Sequence, residues 1–271
     1  MSFSIAGKTA IVTGAANGVG LAIGRHFISQ GANVVFADMD EDRLTAEMGD
    51  EAAKEENVRI FAGDLRKKLT IANLLSATID AFDRVDILVN AARQVLPTDS
   101  LSTDDTSVEE LLQQNLLAGL RLSQSVARKM IKQAGELTED DNEDPIGSIV
   151  NISSIAARRT HPDLLAYSVS CAALDQMTRS LAVAWAPKRI RVNAVAFGSV
   201  MSASLKGSLQ DDDDIRETII GSTPLQRIGG PGEVSDAVQY LASDAAGFVT
   251  GQIITVDGGR TLIDPAAVSA H

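Results

Sequence analysis

Seven short runs rich in β-branched residues recur along the chain: Thr9–Thr13, Asn33–Ala37, Val58–Ala62, Ile87–Asn90, Ser148–Ile152, Arg191–Ala196 and Ile253–Val256. Between most of them lie twelve or more residues whose apolar positions fall at helical spacing, as in Val19, Ile23, Phe27 and in Leu111, Leu116, Leu120. Strand and helix in alternation predict a parallel sheet covered by helices. Most of the runs lack strict apolar/polar alternation, as strands do when both their faces are buried. The pattern therefore predicts an α/β fold, a doubly wound, seven-stranded, mostly parallel sheet with helices on both faces. No Pro-, Gly- or Ser-rich linker and no fixed repeat divides residues 1–271, so they read as one domain. Two stretches break the rhythm. Glu136 to Asp144 reads as an insertion between a long helix and the fifth strand, and Ser199 to Ser222 reads as a long functional or mobile connection.

Composition narrows the class. Hydrophobic residues make up 45% of the 271, enough for a sizeable core, yet no apolar run approaches the ~20 residues of a membrane span. The formal net charge is −12 and no basic stripe is present, which argues against a nucleic-acid partner. Arg66-Lys67-Lys68 reads as a solvated helix face. The acidic stretches, Glu136–Asp144 and Asp211–Asp214, read as exposed loops, because consecutive aspartates cannot all face one ion and calcium-loop spacing is absent. No metal is expected. The single cysteine, Cys171, allows no intrachain disulfide, and the N-terminus shows no signal-peptide pattern, so the cytoplasm is the expected location.

Candidate chemistry begins after the first run, at Thr13-Gly14-Ala15-Ala16-Asn17-Gly18-Val19-Gly20. Strand, glycine turn and amphipathic helix in that order form a dinucleotide-binding turn of Rossmann type. Glycines let a pyrophosphate approach backbone amides, and the helix start presents free N–H groups and a positive dipole end. Gly14, Asn17, Gly18, Val19 and Gly20 are the candidate phosphate contacts. The second run continues into Asp38, 18 residues after Gly20, where a carboxylate accepts the adenosine ribose hydroxyls. That carboxylate would repel a 2′-phosphate, and no Arg or Lys at Ala15 to Asn17 offsets it, so NAD is favoured over NADP.

The glycine spacing is TGxxxGxG. Downstream stand the run Asp86-Ile-Leu-Val-Asn90, Asn115 within QQNLLAGL, Ser154 closing IVNISS, and Tyr167 13 residues after Ser154. On these motifs, with RIRVNAVAFG and TGQIITVDGG after them, the chain resembles the short-chain dehydrogenase/reductase family from Lys8 to about Gly259. The resemblance implies hydride transfer between a nicotinamide and a carbonyl or secondary alcohol. It places Asp64 and the adjoining Leu65 near the adenine. Asn90, Ala91 and Ala92 after the fourth strand, and Gly198 and Val200 after the sixth, fall along the cofactor. Asn115 matches the family's relay asparagine, Ser154 its catalytic serine and Tyr167 its catalytic tyrosine. The resemblance also implies a small-molecule substrate and a homodimer or homotetramer, with the tail from Asp264 to His271 packed at such an interface or frayed.

The departures cluster. The family's Tyr-x-x-x-Lys reads Tyr167-Ser-Val-Ser-Cys171, its NNAG reads Asn90-Ala91-Ala92-Arg93, and its Pro-Gly after the sixth strand reads Phe197-Gly198. A lysine one helical turn after the tyrosine lowers the phenol pKa and grips the ribose, and a thiol does neither well. An unassisted phenol titrates near ~10, so bringing it to neutrality takes ~3 units, or ~4 kcal/mol. Reduction needs only the neutral phenol, whereas oxidation needs the phenolate. Reduction is therefore expected to be the less impaired direction at neutral pH. Arg93 is a candidate substitute for the missing charge, against the reading that it faces solvent. His161 either lines the substrate entrance or is a solvated loop residue, and Cys171 either acts chemically or is a small buried helix residue. Three functional readings remain: an NAD-dependent oxidoreductase with an altered site, an NAD-binding sensor or structural subunit without useful turnover, and, resting on fold versatility alone, a nucleic-acid binder.

Overall fold

The computed structural model describes residues 3–135, 144–201, 205, 209 and 213–264. Strands β1 (Thr9–Thr13), β2 (Asn33–Asp38), β3 (Val58–Ala62), β4 (Ile87–Asn90), β5 (Gly147–Ser154), β6 (Ile190–Phe197) and β7 (Ile253–Val256) form one sheet in the order β3-β2-β1-β4-β5-β6-β7. Every pairing in it is parallel. The doubly wound architecture is as the alternation predicts. The β5 and β6 runs are each longer than their apolar cores suggest, because they pair with each other along their whole length, from Gly147↔Ile190 to Ser154↔Phe197.

Helices α1 (Gly18–Ser29), α2 (Glu41–Lys54), α3 (Lys68–Phe82), α4 (Ser107–Leu112), α5 (Ala118–Ala134), α6 (Leu165–Trp185), α7 (Asp213–Gly221) and α8 (Pro231–Ala242) are seen among the described residues. Two apolar clusters flank the sheet. One gathers Ile23 and Phe27 of α1, Leu44 of α2 and Val238 of α8 over Val12, Phe36 and Val150. The other gathers Leu74 of α3, Val126 and Met130 of α5 and Ala182 of α6 over Ile11, Leu88 and Val192. Alternate residues of β1 thus serve opposite layers, which is why the strand is buried on both faces.

One element departs from its pattern. The stretch expected as a single long helix is α4 and α5 joined by a π-helical turn, Gln113–Leu117. The wider turn shifts the buried stripe to Leu111, Asn115, Ala118, Leu122, leaving Leu116 and Leu120 only half-buried. Such bulges concentrate at functional positions. Among the described residues no helix is long and apolar enough to cross a membrane, and no cluster of His, Cys, Asp and Glu could hold a metal. Most of Glu136–Asp144, Asp211 and Asp212 of the second acidic run, and the tail beyond Asp264 lie outside the described residues.

Candidate active site

The cleft lies at the C-terminal ends of β1, β2 and β4, where ligands bind in open α/β sheets. Its first wall is the turn after β1. Gly14 has φ +65°, and a Cβ there would stand 2.7 Å from the Ala91 carbonyl and the Ala92 backbone. A Cβ on Gly20 would stand 2.2 Å from the Gly14 carbonyl oxygen. These two glycines therefore let the turn close on itself and on the segment after β4. Thr13 fastens the same junction, its Oγ1 accepting from the Ala91 and Ala92 amides at 3.1 Å each.

The helix start behind this turn is left open for a ligand. Asn17 occupies the N-cap of α1 but its side chain caps nothing, and no acidic residue sits in the first turn. The first-turn amides are thus unopposed donors at the positive end of the helix dipole, as a pyrophosphate requires. Asp38 ends β2 and is held by two backbone amides, accepting from Ala16 at 3.0 Å on one oxygen and from Asp40 at 3.1 Å on the other. A carboxylate has further lone pairs, so both oxygens keep capacity for ribose hydroxyls. A cleft of about 390 Å³ joins Asn17, Gly18, Val19, Asp38, Asp64 and Leu65 to the segment Ala91–Val95. The residues present fit a dinucleotide.

Asp64 is committed to a local partner. It accepts from the Arg66 backbone amide and side chain at 2.9–3.0 Å, and that hydrogen bonding holds its carboxyl below the usual range. Asn90 is also spoken for. Its Nδ2 donates to Ser123 Oγ at 2.9 Å and to Asn151 Oδ1 at 2.8 Å, and Asn151 passes the chain on to Thr178. This buried ladder ties α5 to α6 through the sheet. Sequence reading missed it, because only the register that places Asn90 opposite Asn151 reveals it.

A smaller pocket adjoins the cleft, sharing Leu65, Ala92, Arg93 and Gln114 with it, and is lined by Tyr167, buried near the start of α6. Three groups from separate elements meet its hydroxyl. Arg93, three residues beyond β4, donates from Nη1 to it at 2.8 Å. Ser154, the last residue of β5, stands beside it and lowers the phenol's pKa, while its Oγ caps the turn Ile155–Ala157 by accepting from the Ala156 amide at 3.1 Å. Cys171, one turn along α6 and only 4% exposed, is the third. The Arg93 guanidinium also lies over the Phe197 ring, 4.2 Å from its centroid. It is not directed to solvent.

Asn115 sets the Arg93 segment in place. The π turn aims its amide at the neighbouring loop, where Oδ1 accepts from the Gln94 amide at 2.8 Å and Nδ2 donates to the Gln94 carbonyl at 2.9 Å. Gly198 and Val200 line a different cleft, with Thr255–Gly259 and Leu262, and Gly198 packs so closely on Ile155 that a Cβ would stand 2.2 Å from its side chain. His161 is a surface residue whose Nδ1 accepts from the Asp163 amide at 3.3 Å.

The electrostatics divide cleanly. Desolvation raises the Tyr167 phenol above its ordinary value, with Arg93 the largest opposing influence and Ser154 a smaller one. A unit charge ~4 Å away is worth ~4 kcal/mol at an effective dielectric near 20, the size of help a neutral-pH phenolate needs. Burial outweighs it here, so the phenol is held protonated at neutral pH. Burial also pushes the Cys171 thiol up to about 11, which removes it as a nucleophile near neutrality and leaves it an uncharged neighbour.

The profile of a family described as enoyl-(acyl carrier protein) reductase matches residues 14–261. Galactitol 2-dehydrogenase (L-tagatose-forming) of Cereibacter sphaeroides is 33% identical over 265 residues, covering 96% of this chain and 97% of that protein. The chain belongs to the short-chain dehydrogenase/reductase family. A solved member, 7α-hydroxysteroid dehydrogenase complexed with NADH and 7-oxo glycochenodeoxycholic acid, aligns with a TM-score of 0.85 at 30% identity, over 95% of this chain and 96% of that one. Gluconate 5-dehydrogenase from Burkholderia cenocepacia, in complex with NADP and tartrate, aligns with a TM-score of 0.83 at 27% identity, over 97% and 98%. Membership of this oxidoreductase family implies a nicotinamide cofactor. The two solved relatives carry one of each kind, so the choice between NAD and NADP rests on this chain's own residues.

Proposed function

We propose that the protein is an NAD(H)-dependent oxidoreductase acting between a carbonyl and a secondary alcohol. The observation that carries this reading is the buried Tyr167 hydroxyl, hydrogen-bonded by Arg93 with Ser154 beside it, in a pocket adjoining a cleft shaped for a dinucleotide. When bound, the nicotinamide supplies or accepts the hydride. The chain does the rest. Gly14, Asn17, Gly18, Val19 and Gly20 seat the pyrophosphate, Asp38 takes the adenosine ribose, and Asp64 with Leu65 borders the adenine. Ala91 and Ala92 form the floor towards the nicotinamide, with Asn90 lining the adjoining pocket, whereas Gly198 and Val200, in their separate cleft, are not assigned to the cofactor. Ser154 orients the reacting oxygen, Tyr167 gives or takes its proton, and Asn115 fixes the loop that carries Arg93.

Because burial holds the phenol protonated, Tyr167 is ready as an acid and not as a base. Reduction is served at neutral pH, and oxidation should climb as pH rises towards the phenol's titration. An oxidation rate that stays flat from neutral to alkaline pH overturns this assignment. The primary test is fluorescence titration with NADH and NADPH, paired with a turnover screen on small carbonyl compounds. Tight NADH binding with NADH-dependent reduction is expected.

Cys171 in the lysine's place favours a second reading, an NAD-binding protein without useful turnover. NADH binding by a parent protein that reduces nothing, together with turnover gained by the double variant Arg93→Gly/Cys171→Lys, establishes that second reading.

A further inference from the structure

Three positions that depart from the family lie far apart in sequence and meet at one point: Arg93 after β4, Cys171 on α6 and Phe197 at the end of β6. We propose that they act as a single replacement set, in which the Arg93 guanidinium, seated on the Phe197 ring, is the fixed cation that assists the Tyr167 proton transfer in place of a lysine on α6. The inference rests on the oxidoreductase reading above and names a positioning and charge-supplying residue within it.

The geometry supports each member of the set. Arg93 Nη1 is 2.8 Å from the Tyr167 hydroxyl and its guanidinium carbon is 4.2 Å from the Phe197 centroid, so one side donates while the face stacks. A guanidinium keeps its proton in any protein setting and offers a flat surface for stacking, which an ammonium does not. A proline at position 197 would give no such aromatic platform. Cys171 is small and uncharged, and it leaves room beside the phenol for a cation arriving from another element. A lysine there would bring a second buried cation against the first. The substitution at 171 and the arginine at 93 are therefore exclusive partners.

In the reduction step the phenol O–H bond breaks, its proton passes to the substrate oxygen, and the phenolate left behind faces the guanidinium. Few other charges bear on that hydroxyl. On α6, Asp175 lies one turn beyond Cys171 and accepts from Ser153 at 2.7 Å. Arg158, after β5, acts on Asp175. His161 and Asp163, before α6, face each other at the surface. β5 contributes the neutral Ser154 and β6 the neutral Phe197.

The chain has only two tyrosines, Tyr167 and Tyr240. In a Tyr240→Phe background, ultraviolet titration of tyrosinate in the cofactor-free protein therefore follows Tyr167 alone. Arg93→Gln should raise the midpoint by at least about one unit, and Arg93→Lys by less, because it keeps a charge but loses the stack and the fork. Equal midpoints for the parent and Arg93→Gln overturn the inference. A second arm works at neutral pH. Cys171→Lys should lower the thermal midpoint more with Arg93 present than in an Arg93→Gly background, and equal losses in the two backgrounds likewise overturn it. NADH titration of the same proteins keeps the two ideas separate. A parent that fails to bind NADH defeats the cofactor reading, whereas an unmoved tyrosinate titration in a protein that binds NADH defeats the Arg93 assignment alone.

Discussion

The two ends of the cleft are built on different principles. The end at Asp38, which we propose receives the adenosine, is backbone: glycines that admit close approach, amides left free at a helix start, and one carboxylate pinned by two N–H groups. The end at Tyr167, which we propose faces the nicotinamide, is side chains: a phenol, a guanidinium, an aromatic ring and a thiol brought from α6, the loop after β4 and the end of β6. Backbone architecture tolerates little change, since a Cβ at Gly20 would meet a carbonyl oxygen at 2.2 Å. Side-chain architecture can be exchanged piece by piece, provided the pieces still satisfy one another. Departures from the family accordingly accumulate at one end and spare the other.

Breaking the side-chain end should give the largest effect on chemistry with the smallest effect on binding. Tyr167→Phe removes the proton donor while keeping the ring that packs against Ala166 and Leu111. Reduction should fall by ~10³-fold, about 4 kcal/mol of barrier, in the middle of the range for general acid–base groups. NADH affinity should stay within a few-fold of the parent. A Tyr167→Phe protein that reduces its substrate at near-parent rate removes Tyr167 from the mechanism.

The buried thiol carries a stability signature of its own. Burial pushes the Cys171 thiol from an ordinary value of 9.0 up to about 11 in the folded protein. A group whose pKa is raised by folding stabilises the native state fully below its unfolded value, and that stability is lost as pH climbs towards the folded value. Tyr167, raised by the same burial, acts in the same direction at higher pH. Unfolding free energy should therefore drop between pH 9 and 11, with about 3 kcal/mol as the ceiling for Cys171 alone. Urea melts across that window should show a shallower drop for Cys171→Ala. Parallel drops in both proteins mean the thiol takes no part.

How much of this was legible in the chain also differs between the ends. The seven strands were readable because short β-branched runs alternate with stretches of helical spacing, and the glycine turn was readable because strand, glycines and helix are contiguous. Tyr167, Ser154 and Asn115 stood out through the resemblance to the family, whose motifs they match together and not singly. The pairing of Arg93 with Tyr167 was not readable, since it links positions 74 residues apart and depends on which way a flexible side chain turns. The π turn at Gln113–Leu117 was equally hidden, because one extra residue per turn looks like an ordinary helix until its stripe slips from Leu116 and Leu120 to Asn115 and Ala118. The Asn90–Asn151 ladder needed the strand register.

The backbone end can be sharpened through its one discriminating side chain. Asp38→Asn keeps the size and much of the hydrogen bonding to Ala16 and Asp40 but removes the charge. Hydrogen bonds to a charged acceptor are worth ~1.5–3 kcal/mol, so NADH affinity should fall about 10-fold or somewhat more. NADPH affinity should hold or improve as the repulsion of the 2′-phosphate disappears. A variant that loses both cofactors equally shows Asp38 to be a support for the turn and not a selector.

The smallest effect tests whether Asp64 belongs to that end. Its oxygens face the Arg66 side chain and amide, in an ion pair whose arginine is well exposed, at 47%. Exposed pairs contribute little and are screened by salt. Arg66→Ala should leave folding stability unchanged within error and alter NADH affinity by no more than about threefold, in the direction of tighter binding if the freed carboxylate turns to the adenine. Asp64→Ala made alongside distinguishes the two roles. If Asp64 borders the adenine, its loss weakens NADH binding beyond anything Arg66→Ala does. If the carboxylate serves only to fold the loop after β3 through the Arg66 amide, both variants shift binding equally and slightly. In that case the adenosine end recognises its ligand through Asp38 and the backbone alone.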